Sequence, residues 1–175
     1  MSETRILMVD DEENILRALR RSLAPEGYQI EDFTDPRAAL ARAEAAPFDL
    51  FLSDYRMPHM DGVTFLSRIK ASHPDAARLI ISGQADLEGL LAAINQAEIQ
   101  RFISKPWENY DLRTTIRQAL SHRATVLENR MLADQVRRQQ TQLNEQARIL
   151  DRLEKEFPGI SSVRRTADGA VVLDE

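Results

Sequence analysis

The sequence predicts an α/β protein, a five-stranded doubly wound parallel sheet with helices on both faces and a last helix extended into a long coiled coil. Three observations predict it. Short apolar runs alternate with helical stripes five times over the first 120 or so residues. Polar, chemistry-bearing residues stand where the apolar runs end. From about Asn109 the alternation stops, and helix formers run on without glycine or proline until Pro158.

Ile6-Leu7-Met8-Val9 is a run without polar alternation, as expected of a strand buried on both faces, and it ends at Asp10-Asp11. Asn14 to Leu23 carries Ile15, Leu16, Leu19 and Leu23 on one helical stripe. Pro25 and Gly27 punctuate, and Tyr28 to Phe33 forms a second strand. Asp35-Pro36 pairs an N-cap with proline at the first helical position, and the helix runs through Ala38, Leu40 and Ala43. Phe48 to Ser53 is a third strand ending at Asp54; Met57-Pro58 and Asp61-Gly62 mark a loop, and Val63 to Ile69 is the next helix. Leu79-Ile80-Ile81 is a fourth strand ending at Ser82-Gly83, and Leu87 to Ala97 a fourth helix. Arg101 to Ser104 is the fifth strand, closed by Lys105-Pro106. In such sheets ligands sit outside the carboxyl ends of the strands. Asp10, Asp11, Asp54, Ser82 and Lys105 are therefore the candidates for chemistry.

A continuous helix from Asn109 to Phe157 would be about 70 Å long, more than a domain of this size can cover. Leu132, Val136, Leu143, Leu150, Leu153 and Phe157 fall on one seam of alternating three- and four-residue steps, with Gln139 and Gln146 filling the remaining positions. This is the pattern of a coiled coil. Leu120, Ala124, Leu127 and Met131 form a similar seam offset by one residue, which implies a change of winding near Met131-Leu132. In the tail, Ser162–Thr166 and Ala170–Leu173 flank Asp168-Gly169, a hairpin signal. The domain reading is 1–121 for the α/β unit, 122–157 for the helical extension and 158–175 for the tail.

Composition excludes several classes. The chain has 175 residues and a net charge of −5, which does not suit a nucleic-acid binder. From Leu112 to Phe157 nine basic residues face six acidic ones, and no helix-turn-helix break interrupts them. With no cysteine, disulfides and thiol chemistry are excluded. No apolar run reaches the roughly 18 residues of a membrane span, and no leader pattern opens the chain, so a soluble cytoplasmic protein is expected.

Phosphoryl transfer to a carboxylate needs a nucleophile, a divalent cation and groups that hold the phosphoryl oxygens. Asp54 is the candidate nucleophile. With Asp10 and Asp11 it makes a three-carboxylate cluster that calls for a counter-charge, and hard oxygen ligands suit Mg²⁺. Lys105 offers a point charge for a phosphate oxygen, and Ser82 a hydroxyl donor. A lone aspartate at a strand end is ordinarily a cap or turn residue; the complete set reverses that. His59, His73 and His122 read as scattered surface residues, and Trp107 as a packing anchor.

The ordered set Val9-Asp10-Asp11-Glu12, Asp54 with Met57-Pro58 and Asp61-Gly62, then Ser82-Gly83 and Lys105-Pro106 resembles the receiver domain of two-component response regulators, over roughly residues 4 to 120. The resemblance implies a flavodoxin-like sheet and a phosphoryl group passed to Asp54 by a sensor histidine kinase. It implies Mg²⁺ held by Asp11, Asp54 and the backbone carbonyl of Arg56, with Asp10 acting largely through water. It further implies Ser82 as the switch hydroxyl, Phe102 as the switch aromatic, Lys105 as the phosphate clamp and a cis Lys105–Pro106 bond. Arg56 and Gln84 neighbour the site by the family pattern and would affect the lifetime of the phosphoaspartate.

The leading expectation is a response regulator acting through protein contacts, with an unknown downstream protein and a homodimer through the C-terminal helix. No enzymatic activity beyond its own phosphorylation and dephosphorylation is expected, and no nucleic-acid or membrane partner. The alternative is a receiver fragment of a larger regulator. Arg101 to Glu108 is similar to receivers attached to HD-GYP phosphodiesterases and to some transcriptional activators, and Pro158-Gly159-Ile160 with Asp168-Gly169 loosely resembles the entry to a PAS sensory module. A small phosphatase-like enzyme with an aspartate nucleophile is a third reading, disfavoured by the Ser82-Gly83 and Lys105-Pro106 contexts.

Overall fold

The computed structural model describes residues 3–83 and 97–158. The described elements are β1 (Arg5–Val9), α1 (Glu13–Leu23), a 3-10 turn (Ala24–Glu26), β2 (Gln29–Phe33), α2 (Pro36–Ala45), β3 (Leu50–Asp54), α3 (Gly62–Ser72), β4 (Ala77–Gly83), β5 (Arg101–Lys105) and α4 (Asn109–Glu156). The expected helix Leu87–Ala97 lies, all but Ala97, outside the described residues, as do Gln84 and the tail hairpin with its Ser162–Thr166 and Ala170–Leu173 arms.

The five strands pair in parallel in the order β2-β1-β3-β4-β5, so the chain reverses direction between β1 and β3. Alternate residues along each strand enter opposite layers. Leu7, Val9, Phe51 and Ile80 join the cluster that takes in α2 and α3. Ile6, Met8, Leu52 and Ile81 join the cluster that takes in α1 and the start of α4 through Leu112, Ile116 and Ala119. Two-sided burial is why β1, β3 and β4 show no polar alternation.

Asp35 and Gly27 act as expected, and Asp61, expected only to mark a loop, is also a cap. Asp35 caps α2 by accepting from the Arg37 N–H, and Asp61 caps α3 by accepting from the Thr64 N–H. Gly27 ends the 3-10 turn in the left-handed region at φ 71°, a conformation glycine adopts without steric cost. Ser22, on α1, donates to Asn109 Oδ1 at 2.6 Å and accepts from Trp107 Nε1 at 3.3 Å. That polar knot fixes the entry of α4 and supports the reading of Trp107 as an anchor.

Two expectations are corrected. His73 is half-buried, its ring edge-on to Phe51 with centroids 5.1 Å apart, so it is a packing residue at the end of α3. Strand β4 starts two residues earlier than the apolar run because Ala77 and Arg78 are also inside, Arg78 being 2% exposed. Its guanidinium donates to the carbonyls of Ala97, His73, Pro74 and Ala76 and reaches the Glu98 carboxylate at 3.5 Å, so a buried charge is satisfied by backbone oxygens and one carboxylate.

The chain divides into two compact units, Met1–Leu127 and Glu128–Glu175. Within the first, Arg123 Nε donates to the Asp75 carbonyl at 2.9 Å and its guanidinium pairs with Asp49 at 3.0 Å. In the second, the described chain is helix up to Glu156, and Leu132, Val136, Leu143, Leu150 and Phe157 are exposed. Among the described residues no helix is long and apolar enough to cross a membrane.

Candidate functional site

The carboxyl ends of β1, β3, β4 and β5 bring Asp10, Asp54, Ser82 and Lys105 together. Asp54 is the last residue of β3, pinned through its neighbours: the Tyr55 N–H donates to the Ile81 carbonyl at 3.0 Å, and the Gly62 N–H to the Tyr55 carbonyl at 2.9 Å. The approach of α3 is close. A Cβ on Gly62 would stand 2.0 Å from the Asp54 carbonyl oxygen, so only glycine fits there. Ser53 Oγ donates to the same carbonyl oxygen at 2.9 Å. Ser53 was read only as part of the third strand; a hydroxyl inside an otherwise apolar run was the one available signal for it.

Lys105 ends β5 two strands away from Asp54, and its ladder partner on the intervening strand is Gly83, which has no side chain. Its ammonium lies 2.6 Å from Asp54 Oδ1 and 2.7 Å from Asp10 Oδ2, bridging the two carboxylates. The remaining oxygens are partly engaged: Asp54 Oδ2 accepts from the Arg56 N–H at 2.8 Å, and Asp10 Oδ1 from the Glu12 N–H at 2.9 Å. The Lys105–Pro106 bond is cis, as expected.

Burial dominates the electrostatics. Asp10 is fully buried and Asp54 nearly so, and desolvation pushes both carboxyls above the usual aspartate range although Lys105 pulls the other way. Burial also opposes the Lys105 charge, but its hydrogen bonds to Asp10 and Asp54 prevail and hold its pKa above the usual lysine value.

Ser82 is buried beside this pair, one residue beyond the ladder partner of Asp54, with its hydroxyl 3.4 Å from the Gly83 carbonyl oxygen. Phe102 pairs in register with Ile80 and is half-buried against the cluster beneath α2 and α3. Asp11 is exposed. Among the described residues no three acidic or histidine side chains gather closely enough to hold a metal ion. The expected three-carboxylate cluster is instead a pair bridged by Lys105, with Asp11 exposed beyond the end of β1.

A family model for the response regulator receiver domain matches residues 6–117. This chain belongs to the response regulator receiver family. The receiver is 38% identical over 115 residues to the hydrogenase transcriptional regulatory protein HoxA of Bradyrhizobium diazoefficiens, covering 66% of this chain and 24% of that protein. It is 37% identical over 142 residues to the cyclic di-GMP phosphodiesterase response regulator RpfG of Xanthomonas campestris, covering 73% of this chain and 37% of that one. A crystal structure of the signal receiver domain of an HD domain-containing protein from Pseudomonas fluorescens Pf-5 matches with TM-score 0.69 and 37% identity, over 73% of this chain and 94% of that one. The chain therefore spans about a quarter of HoxA and little more than a third of RpfG.

Proposed function

We propose that this receiver is switched by phosphorylation of Asp54. The observation that carries the reading is the buried Asp54 carboxylate at the end of β3, hydrogen-bonded to Lys105 in a site it shares with Asp10. A carboxylate oxygen of Asp54 attacks the phosphorus of a phosphohistidine on a sensor histidine kinase. The new P–O bond forms as the P–N bond breaks, and the departing imidazole nitrogen keeps the bonding pair and takes up a proton. Lys105 then pairs with a phosphoryl oxygen, and Ser82 donates to another.

The donor set suits Mg²⁺. Asp10, Asp11 and Asp54 carry three negative charges against the single Lys105 cation, all ligands are hard oxygens, and two of the carboxylates are buried at a cost that added positive charge would relieve. Asp11, Asp54 and the Arg56 carbonyl would hold the ion, with Asp10 acting largely through water; when bound it offsets the charge of the incoming phosphoryl group.

Phosphorylation shifts an equilibrium between two receiver states, with Ser82 turning toward the phosphoryl group and Phe102 following. The face formed by β5 and the start of α4 carries the change. Because α4 continues as one helix to Glu156, its seam makes dimer geometry or a downstream protein contact the output. In this reading the domain divisions are 1–121, 122–157 and 158–175. The test is incubation of the full chain with acetyl phosphate. Stoichiometric phosphorylation that needs Mg²⁺ and disappears in Asp54→Asn is expected; labelling that persists in Asp54→Asn overturns the assignment.

A second reading rests on the likeness to RpfG and to the Pseudomonas HD-domain receiver: this is the receiver of a larger regulator with an HD-GYP-like enzymatic or a sensory output. Sequencing the gene on both sides of this segment separates the two, since the second reading requires an output domain in the same frame.

A further inference from the structure

We propose that the seam on the second unit accepts a second copy of this chain in one arrangement only, parallel and in register. The proposal rests on the coiled-coil reading of α4 and adds its direction and alignment. In heptad terms the a positions are Val136, Leu143, Leu150 and Phe157, and all four are exposed. The d positions are Leu132, Gln139, Gln146 and Leu153. The polar members of the seam are thus confined to d, in two adjacent heptads.

Each glutamine carries an amide that both donates and accepts, so it is satisfied inside a seam by a second amide and not by an apolar side chain. Parallel helices pack d against d. In register, Gln139 meets Gln139 and Gln146 meets Gln146. A parallel pairing shifted by one heptad leaves one glutamine against Leu132 and another against Leu153. In antiparallel packing every d residue faces an a residue, and every a residue is apolar, so both glutamines are orphaned whatever the shift. Within the seam, only the parallel, in-register arrangement gives every glutamine a glutamine opposite it.

The flanks agree with a self-complementary partner. The g positions are Gln135, Gln142, Ile149 and Glu156, and the e positions are Ala133, Gln140, Ala147 and Glu154. Charge is therefore almost absent beside the seam, which leaves no electrostatic code for a different chain. The helix turns its ion pairs outward instead: Arg137–Asp134 and Lys155–Asp151 occupy b and f. The same outer positions carry Thr141 to the Arg137 carbonyl.

The protein has no cysteine, so single-cysteine variants of the full chain report alignment directly. Val136→Cys is expected to form an interchain disulfide with itself on mild oxidation, while light scattering gives a dimer. An equimolar mixture of Val136→Cys and Leu153→Cys chains is expected to yield self-linked species and no mixed one. A dimer by light scattering that gives only the mixed 136–153 disulfide overturns the parallel arrangement and leaves the coiled coil standing. A monomer at every concentration overturns both. Gln139→Leu with Gln146→Leu sharpens the result: the dimer persists, at least about tenfold tighter, but the Val136→Cys self-link loses its exclusivity to the mixed product. Unchanged exclusivity in that variant shows that the glutamines do not set the alignment.

Discussion

The two units of this chain treat apolar side chains in opposite ways. In Met1–Leu127, Phe51, Leu52 and Ile81 are sealed between helices and sheet, and even Asp10 is buried. In Glu128–Glu175, Val136, Leu143 and Leu150 lie exposed along a single helix. The first unit satisfies its pattern internally and holds a desolvated charge cluster at the carboxyl edge of its sheet. The second displays its pattern along the helix surface, and a lone helix in water gains little from propensity alone. A buried pattern reports a fold, and the exposed one is the surface that the proposed self-association would cover.

The contrast breaks most visibly under truncation. Phe51→Ala is expected to cost the receiver unit about 4 kcal/mol, read by urea denaturation. Leu143→Ala is expected to leave receiver unfolding within about 0.5 kcal/mol and to weaken self-association instead, read by sedimentation. Equal effects of both on receiver unfolding would erase the distinction. Gly62→Ala forces a methyl group against the Asp54 carbonyl and is expected to cost about 3 kcal/mol while slowing phosphorylation.

The site has its own signature. Lys105→Met leaves two buried carboxylates facing each other and is expected to cost about 3 kcal/mol at neutral pH. The loss shrinks in acid, where Asp10 and Asp54 are protonated. The sign follows from the shifts. A carboxyl whose folded pKa is raised holds its proton longer in the folded state, so its stabilising contribution is full below the ordinary aspartate range and is lost as pH rises through the raised value. Asp54→Asn should flatten that decline, seen as a shallower fall of melting temperature across the acidic range. The smallest effect belongs to the second unit: Lys155→Ala removes an exposed pair with Asp151 and is expected to change stability by no more than about 0.5 kcal/mol.

Much of this was legible in the residues. Strands β1 and β3 announced themselves as apolar runs and the Asp35 cap by residue type, because those signals are local; Asp61, legible only as a loop marker, also caps α3. Asp10, Asp54, Ser82 and Lys105 were legible as a set because strand ends in a parallel sheet converge. The burial of Arg78 was not, since its partners are carbonyls contributed by the end of α3, the turn after it and Ala97, with the distant Glu98 carboxylate beside them. Nor was the half-buried ring of His73, whose partner Phe51 is distant in sequence. The bridging of Asp10 and Asp54 by Lys105 was not legible, because charge balance assigned the counter-charge to Mg²⁺ and left Lys105 to a phosphate oxygen.

The most direct test of the central claim is the location of the phosphoryl group. The full chain is phosphorylated with acetyl phosphate and Mg²⁺, the acyl phosphate is reduced with borohydride, and the peptides are mapped by mass spectrometry. Modification at Asp54 alone is the predicted result. Modification at Asp10, at Asp11 or at a histidine, with Asp54 intact, would contradict it.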